Sequence, residues 1–250
     1  MPENPLLPNQ RLRDLYALMQ RCRALDRKAA SARKSAPARE AMLAAAAIHL
    51  QPGDILCATS GDTAAAALAP APHPNQLADG KSVPVPESPA TLPGTARLAL
   101  YAAMALGLKV SGTGGMVVAL ASSTTLEPGW PEALTYAHLS QAPLLLLCAD
   151  TTGRTASRNP ANLTWPAVTR AAARLKLPVL PVDGEDAVAV YRVMQECAGR
   201  ARMGEGPAII WCFMNPSGAR LARSAQPIAR MQQYLAARGL LPLPPGRKRN

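Results

Sequence analysis

The run Leu144-Leu145-Leu146-Leu147-Cys148 constrains this chain more than any other stretch. An unbroken apolar segment of strand length has no polar face to give to water, so it predicts a strand covered on both sides. Met116 to Ala121, Val179 to Val182 and Ala208 to Phe213 repeat the pattern. The intervening stretches carry helical spacing: Pro131 to Ser140, Trp165 to Leu175 and Glu185 to Arg202. Buried strands alternating with helices predict an α/β fold, a doubly wound and mostly parallel sheet flanked by helices. Right-handed crossovers then put helices on both faces. Ligands of such sheets sit beyond the strand C-termini, which directs attention to the loops after Ala121 and Cys148.

Upstream, Leu12, Leu15, Tyr16, Leu18, Met19, Cys22 and Leu25 recur at helical spacing and predict an amphipathic helix from Arg11 to Arg33, with basic residues outward. A second helix is expected from about Pro37 to Leu50. The stop signal Gln51-Pro52-Gly53-Asp54 and a short strand from Ile55 to Ala58 follow it. Seven prolines between Pro70 and Pro93 exclude regular helix and central strand, so residues 70–94 read as an extended connector. A helix from Thr95 to Lys109, a glycine turn at Gly112, Gly114 and Gly115, and a last helix from Pro227 to Arg238 complete the reading. A single domain over residues 1–250 is expected.

Aromatic residues make up 4% of the chain against 48% hydrophobic, which predicts an aliphatic core without aromatic anchors. The five cysteines are scattered and form no Cys-x-x-Cys pair, so buried free thiols in a reducing cytoplasm are expected over a disulfide or zinc framework. The N-terminal residues are polar and broken by proline, and no run approaches membrane-spanning length. The net charge of +11 invites a polyanion partner, but no aromatic residues are interleaved with the arginines of the first helix as stacking platforms. Nucleic-acid binding is therefore a minor alternative.

Several segments, in order, resemble the α subunit of the dehydrogenase E1 components that act on pyruvate and branched-chain 2-oxoacids. They are Leu15-Tyr16 with Met19, Arg23 and Asp26; Arg39-Glu40-Ala41 through Gln51-Pro52-Gly53-Asp54; and Val117-Val118-Ala119 with Gly129 and Glu132-Ala133-Leu134. Val182-Asp183-Gly184-Glu185-Asp186, Gly204-Glu205-Gly206-Pro207, and Gln226-Pro227-Ile228 with Tyr234-Leu235 and Arg238-Gly239-Leu240 continue the series. The resemblance implies the thiamine-diphosphate-binding fold, thiamine diphosphate and Mg2+ as cofactors, and an assembly with an E1 β-like subunit or as a homodimer.

Fold does not carry function, so the site positions are read singly. The family's Gly-Asp-Gly, whose Asp holds the metal, falls on Ser122-Ser123-Thr124. Its Asn at the end of the next strand falls on Asp150-Thr151, and its Tyr-Arg segment falls on Ser60-Gly61-Asp62-Thr63. The proline connector replaces the loop that supplies Ser-Met-His and shortens the chain. His49, His73 and His138 are the only histidines, and none lies in the loop beyond Asp150. No catalytic residue is assigned.

Magnesium requires near-octahedral oxygen coordination with one or two carboxylates. Ser123 supplies no charge. Losing a charge about 4 Å from the cation, at an effective dielectric of about 20, removes about 4 kcal/mol per unit of cation charge. Asp150 is the one candidate metal ligand that remains, and the competing reading is an Asp that caps its own turn with Thr151 and Thr152. Ser122, Ser123 and Thr124 face the same choice between a phosphate and their own backbone. The expectation is an E1 α-like scaffold or regulatory subunit that has lost its cofactor. The alternatives are a working E1 α subunit decarboxylating a 2-oxoacid with a β partner, and a basic nucleic-acid-binding module.

Overall fold

A computed structural model describes residues 7–30, 39–57, 94–124, 129–152, 164–215 and 226–241. Residues 70–93 of the proline connector, which include His73, and Ser60 to Thr63 lie outside the described residues. Along the chain the elements are α1 (Asn9–Ala30), α2 (Glu40–Ala47), β1 (Ile55–Cys57), α3 (Gly94–Val110), β2 (Val117–Ser122), α4 (Trp130–Leu139) and β3 (Leu144–Asp150). They continue with α5 (Trp165–Leu175), β4 (Val179–Asp183), α6 (Ala187–Arg202), β5 (Ala208–Phe213) and α7 (Pro227–Ala237).

The strands form a five-stranded sheet in the order β1-β2-β3-β5-β4, and every described pairing is parallel. Because successive strand side chains point to opposite faces, the central strands divide their residues between two cores. Leu145, Leu147, Val118, Ile210 and Cys212 join the core under α1, α2, α6 and α7. Leu144, Leu146, Cys148, Val117, Ile209 and Trp211 join the core under α3, α4 and α5. All seven residues of β3 are buried, as a central strand covered on both faces requires. The expected doubly wound α/β architecture is the observed one.

On the first face, α1 buries Leu12, Leu15, Met19 and Cys22, a stripe spaced by three and four residues, and leaves Arg11, Arg13 and Arg21 exposed. Arg23 is not on that outward face. It reaches the buried carboxylate of Glu40 and donates to Gln226 at 2.9 Å, which ties α1 to the starts of α2 and α7. Burial raises the Glu40 pKa, and the Arg23 charge opposes that rise. α2 is buried from Glu40 to Ala46 because it lies among α1, α6 and α7, and its alanines permit the close approach.

Three expectations need correction. α2 spans Glu40–Ala47 and is shorter than the pattern predicted, since Ile48 to Leu50 close into a turn before Pro52. α6 starts at Ala187 instead of Glu185, because Asp186 is its N-cap and accepts from the backbone N–H groups of Val188 and Ala189 at 3.0 and 3.1 Å. The core also has an aromatic anchor. Trp211 is fully buried, with the Trp165 ring 5.9 Å and tilted beside it, and Trp165 in turn lies edge-on to Phe213 at 5.6 Å. Few aromatics are present, but they converge on one place.

All five cysteines are buried and free, as expected. No helix among the described residues is long and apolar enough to cross a membrane.

Candidate functional site

β2 and β3 run side by side, with Ser122 in register with Ala149, so their C-terminal ends bring Ser123 next to Asp150. The backbone N–H of Ser123 donates to the Ala149 carbonyl oxygen at 3.0 Å and extends the ladder by one residue. Asp150 is in register with Phe213 on β5, and Trp211 lies two residues before Phe213 on the same face. Three strands thus aim Ser123, Asp150 and Trp211 at one point beyond the sheet, where open α/β sheets place ligands.

That point is filled by the chain itself. The Ser123 hydroxyl donates to Asp150 Oδ1 at 3.2 Å, and the Thr152 backbone N–H and hydroxyl donate to the same oxygen at 2.9 and 2.6 Å. The Trp211 indole Nε1–H donates to Oδ2 at 3.1 Å. The Met214 backbone N–H donates to the Asp150 carbonyl oxygen at 2.9 Å and fastens β5 at the same level. Asp150 is 1% exposed and Ser123 is 0% exposed, so neither is presented to solvent.

The structure brings together only part of the predicted set. Ser123 and Asp150 are in direct contact. Ser122 and Thr124 pair with each other through their hydroxyls at 2.9 Å, and the Thr124 N–H donates back to Ser122 Oγ at 3.3 Å, an arrangement that closes their own turn. Thr151 is half-buried beside them, while the side-chain contact to Asp150 comes from the next residue, Thr152. Sequence reasoning missed Trp211 altogether. Its only signal was a lone tryptophan in an aliphatic strand, and the pairing register that sets it diagonal to Asp150, opposite Cys148, is not written in either segment.

The described residues at these strand ends do not by themselves fit a magnesium-bound diphosphate. Both Asp150 oxygens already accept hydrogen bonds, and Ser123 is an uncharged hydroxyl bonded inward. Among the described residues, no group of three or more His, Cys, Asp or Glu could hold a metal ion. A magnesium ion would have to displace several donors from Asp150 to gain a single carboxylate ligand.

The remaining candidate residues serve the fold. His49 Nε2 donates to the Tyr191 carbonyl oxygen at 3.0 Å, and its ring centroid lies 4.4 Å from that of Tyr191. His138 is half-buried on α4. The Asp183-Gly184-Glu185-Asp186 turn is held by its own contacts. Asp183 accepts from the Glu185 N–H at 3.0 Å and from Arg230 at 2.9 Å, and Glu185 accepts from the Asn215 N–H at 3.0 Å. Burial raises the Glu185 pKa. A cavity of about 340 Å³ opens between this turn and α7, bordered by Arg192, Arg230, Met231 and Tyr234.

Residues 91–215 match the family described as the dehydrogenase E1 component. Over 94 residues the chain is 31% identical to the 3-methyl-2-oxobutanoate dehydrogenase subunit alpha of Mycobacterium tuberculosis, covering 38% of this chain and 26% of that protein. Over 157 residues it is 24% identical to the pyruvate dehydrogenase E1 component subunit alpha of Staphylococcus epidermidis, covering 56% and 42% respectively. The chain therefore spans less than half the length of these curated relatives. Among solved structures it superposes on a transketolase variant from Pichia stipitis with a TM-score of 0.55 and 15% identity, covering 80% of this chain and 36% of that one. At that identity the likeness shows the fold alone.

Proposed function

Because the chain belongs to the dehydrogenase E1 component family, we propose that it is an E1 α-like protein that has lost thiamine diphosphate and magnesium binding and acts as a scaffold or regulatory subunit. One observation carries this reading: the Asp150 carboxylate, the charged group that closes β3, is spent on Ser123, Thr152 and Trp211. A buried acid with four inward donors behaves as part of the core. What remains available is surface, so the function rests on association with an E1 β-like subunit or with a second copy of the chain. The protein is assigned to the cytoplasm, where five buried free thiols stay reduced.

The test is a calorimetric titration of the purified chain with thiamine diphosphate and MgCl2, followed by co-expression with a β-type subunit encoded nearby. The expected outcome is no saturable heat, together with co-elution of the two chains. Micromolar cofactor binding, or 2-oxoacid-dependent dye reduction by the intact assembly, would overturn the reading and identify a working E1 α subunit.

A further inference from the structure

We infer that Asp150 acts as a built-in anion: its carboxylate occupies an oxyanion cradle formed by three separate segments, and that cradle takes a free carboxylate when the side chain is removed. The inference rests on the reading that no cofactor is bound here, and it adds what holds the strand ends in the cofactor's place.

The geometry is that of a ligand site turned inward. Four donors from the end of β2, the turn after β3 and the middle of β5 converge on two oxygens: the Ser123 hydroxyl, the Thr152 N–H and hydroxyl, and the Trp211 indole. The two Thr152 donors lie two residues after Asp150, whereas the Ser123 hydroxyl and the Trp211 indole come from other strands, and each is a type of donor that proteins direct at bound anions. Ser123 and Asp150 are almost wholly shielded, so the donors lie where a charge-assisted hydrogen bond is strongest and an unfilled donor is most costly. Next to them in the chain, Thr151 is half-buried and Thr124 is exposed.

Removing the carboxylate while keeping the backbone leaves a space of formate size with four unpaired donors around it. The experiment compares the wild-type chain with Asp150→Ala by thermal unfolding, without magnesium or thiamine diphosphate, over a formate series at constant ionic strength. Expected is a lower midpoint for Asp150→Ala that rises saturably, by roughly 3–6 °C at formate ten times its Kd. Formamide, the neutral analogue, should give no such rise, and the wild-type midpoint should not move. Equal shifts in both chains, or none in the variant, would overturn the inference.

A second arm covers a variant that does not fold. In Asp150→Asn the amide carbonyl keeps the side facing three donors, so the NH2 group meets the Trp211 N–H head on. The cost of Asp150→Asn should therefore shrink in a Trp211→Phe background, and an equal cost in both backgrounds would count against the cradle. Neither arm contains cofactor. Micromolar thiamine diphosphate binding by the wild type would sink the functional reading without altering these readouts, and failed formate rescue would leave that reading standing.

Discussion

Arg202, the last residue of α6, grips Asp54 across 148 positions of sequence: Nη2 lies 2.5 Å from Oδ2 and Nη1 lies 3.0 Å from Oδ1, a two-pronged ion pair. Asp54 also accepts from the backbone N–H groups of Gln51 at 2.8 Å and Met116 at 2.9 Å. One side chain thus closes the Pro-Gly-Asp turn, starts β2 and anchors α6. The same turn needs glycine twice. Gly53 has φ 95°, and a Cβ on Gly115 would fall 2.7 Å from the Gly53 carbonyl oxygen.

Arg202→Ala should therefore be among the most damaging changes away from the strand ends. It leaves a side chain that is 0% exposed carrying a charge without its ionic partner, a loss of about 3–5 kcal/mol. Arg202→Lys keeps the charge but not the fork, and should cost roughly 1.5–3 kcal/mol. Urea midpoints of the three proteins give the order, and a Lys variant no better than the Ala variant would show that geometry outweighs charge here.

Stability should decline in mild acid through His49. Burial lowers its pKa from 6.5 to about 4, with the Arg11 and Arg202 charges adding to the drop and the hydrogen bond to Tyr191 opposing it. The folded state keeps the ring neutral while the unfolded chain takes up a proton below about 6.5. The contribution is thus fully present above pH 6.5 and drains away as pH falls through 4, by about 3 kcal/mol in total. His49→Gln should flatten the unfolding free energy across that window, and an unchanged slope would refute the assignment.

Gly184 has ordinary φ, so its requirement is space. A Cβ there would meet Met214 Sδ at 2.4 Å and Cys212 Cβ at 2.8 Å. Gly184→Ala should cost about 1–3 kcal/mol by overpacking. Adding Met214→Ala should recover only part of that loss, because the Cys212 contact is fixed to β5. Full recovery would locate the whole clash at the flexible methionine.

The thiols provide a direct measure of opening. Burial pushes Cys57 and Cys212 up to about 12 and Cys197 up to about 11, and it raises Cys148 well above its usual value. Because the thiolate is the reactive form, iodoacetamide at pH 8 should label these four slowly in the folded chain and rapidly in denaturant. Mass spectrometry that found Cys212 modified quickly under native conditions would contradict the burial of β5.

The sheet was readable from the sequence because central parallel strands are continuous apolar runs, and Leu144 to Cys148 admits hardly any other reading. Element ends were less legible where a cap decides them. Asp186 belongs outside α6 because its carboxylate bonds the next two free N–H groups, which hydrophobic spacing does not register. The Ser123–Asp150 contact was legible in part, since both residues close neighbouring strands. Trp211 and Arg202 were not, because each meets its acid only through the pairing register or a crossover that sequence spacing leaves open. The low aromatic content concealed the fact that Trp165, Trp211 and Phe213 cluster.

The inward-turned Asp150 also limits which side chains its neighbour Ser123 can be exchanged for. Ser123→Asp sets a second carboxylate against the first where a hydroxyl now donates at 3.2 Å. Like charges that close repel unless a cation or a shared proton intervenes. Ser123→Asp alone would therefore weaken the strand ends, and an acid at that position is tolerated only with a second, coupled change at Asp150.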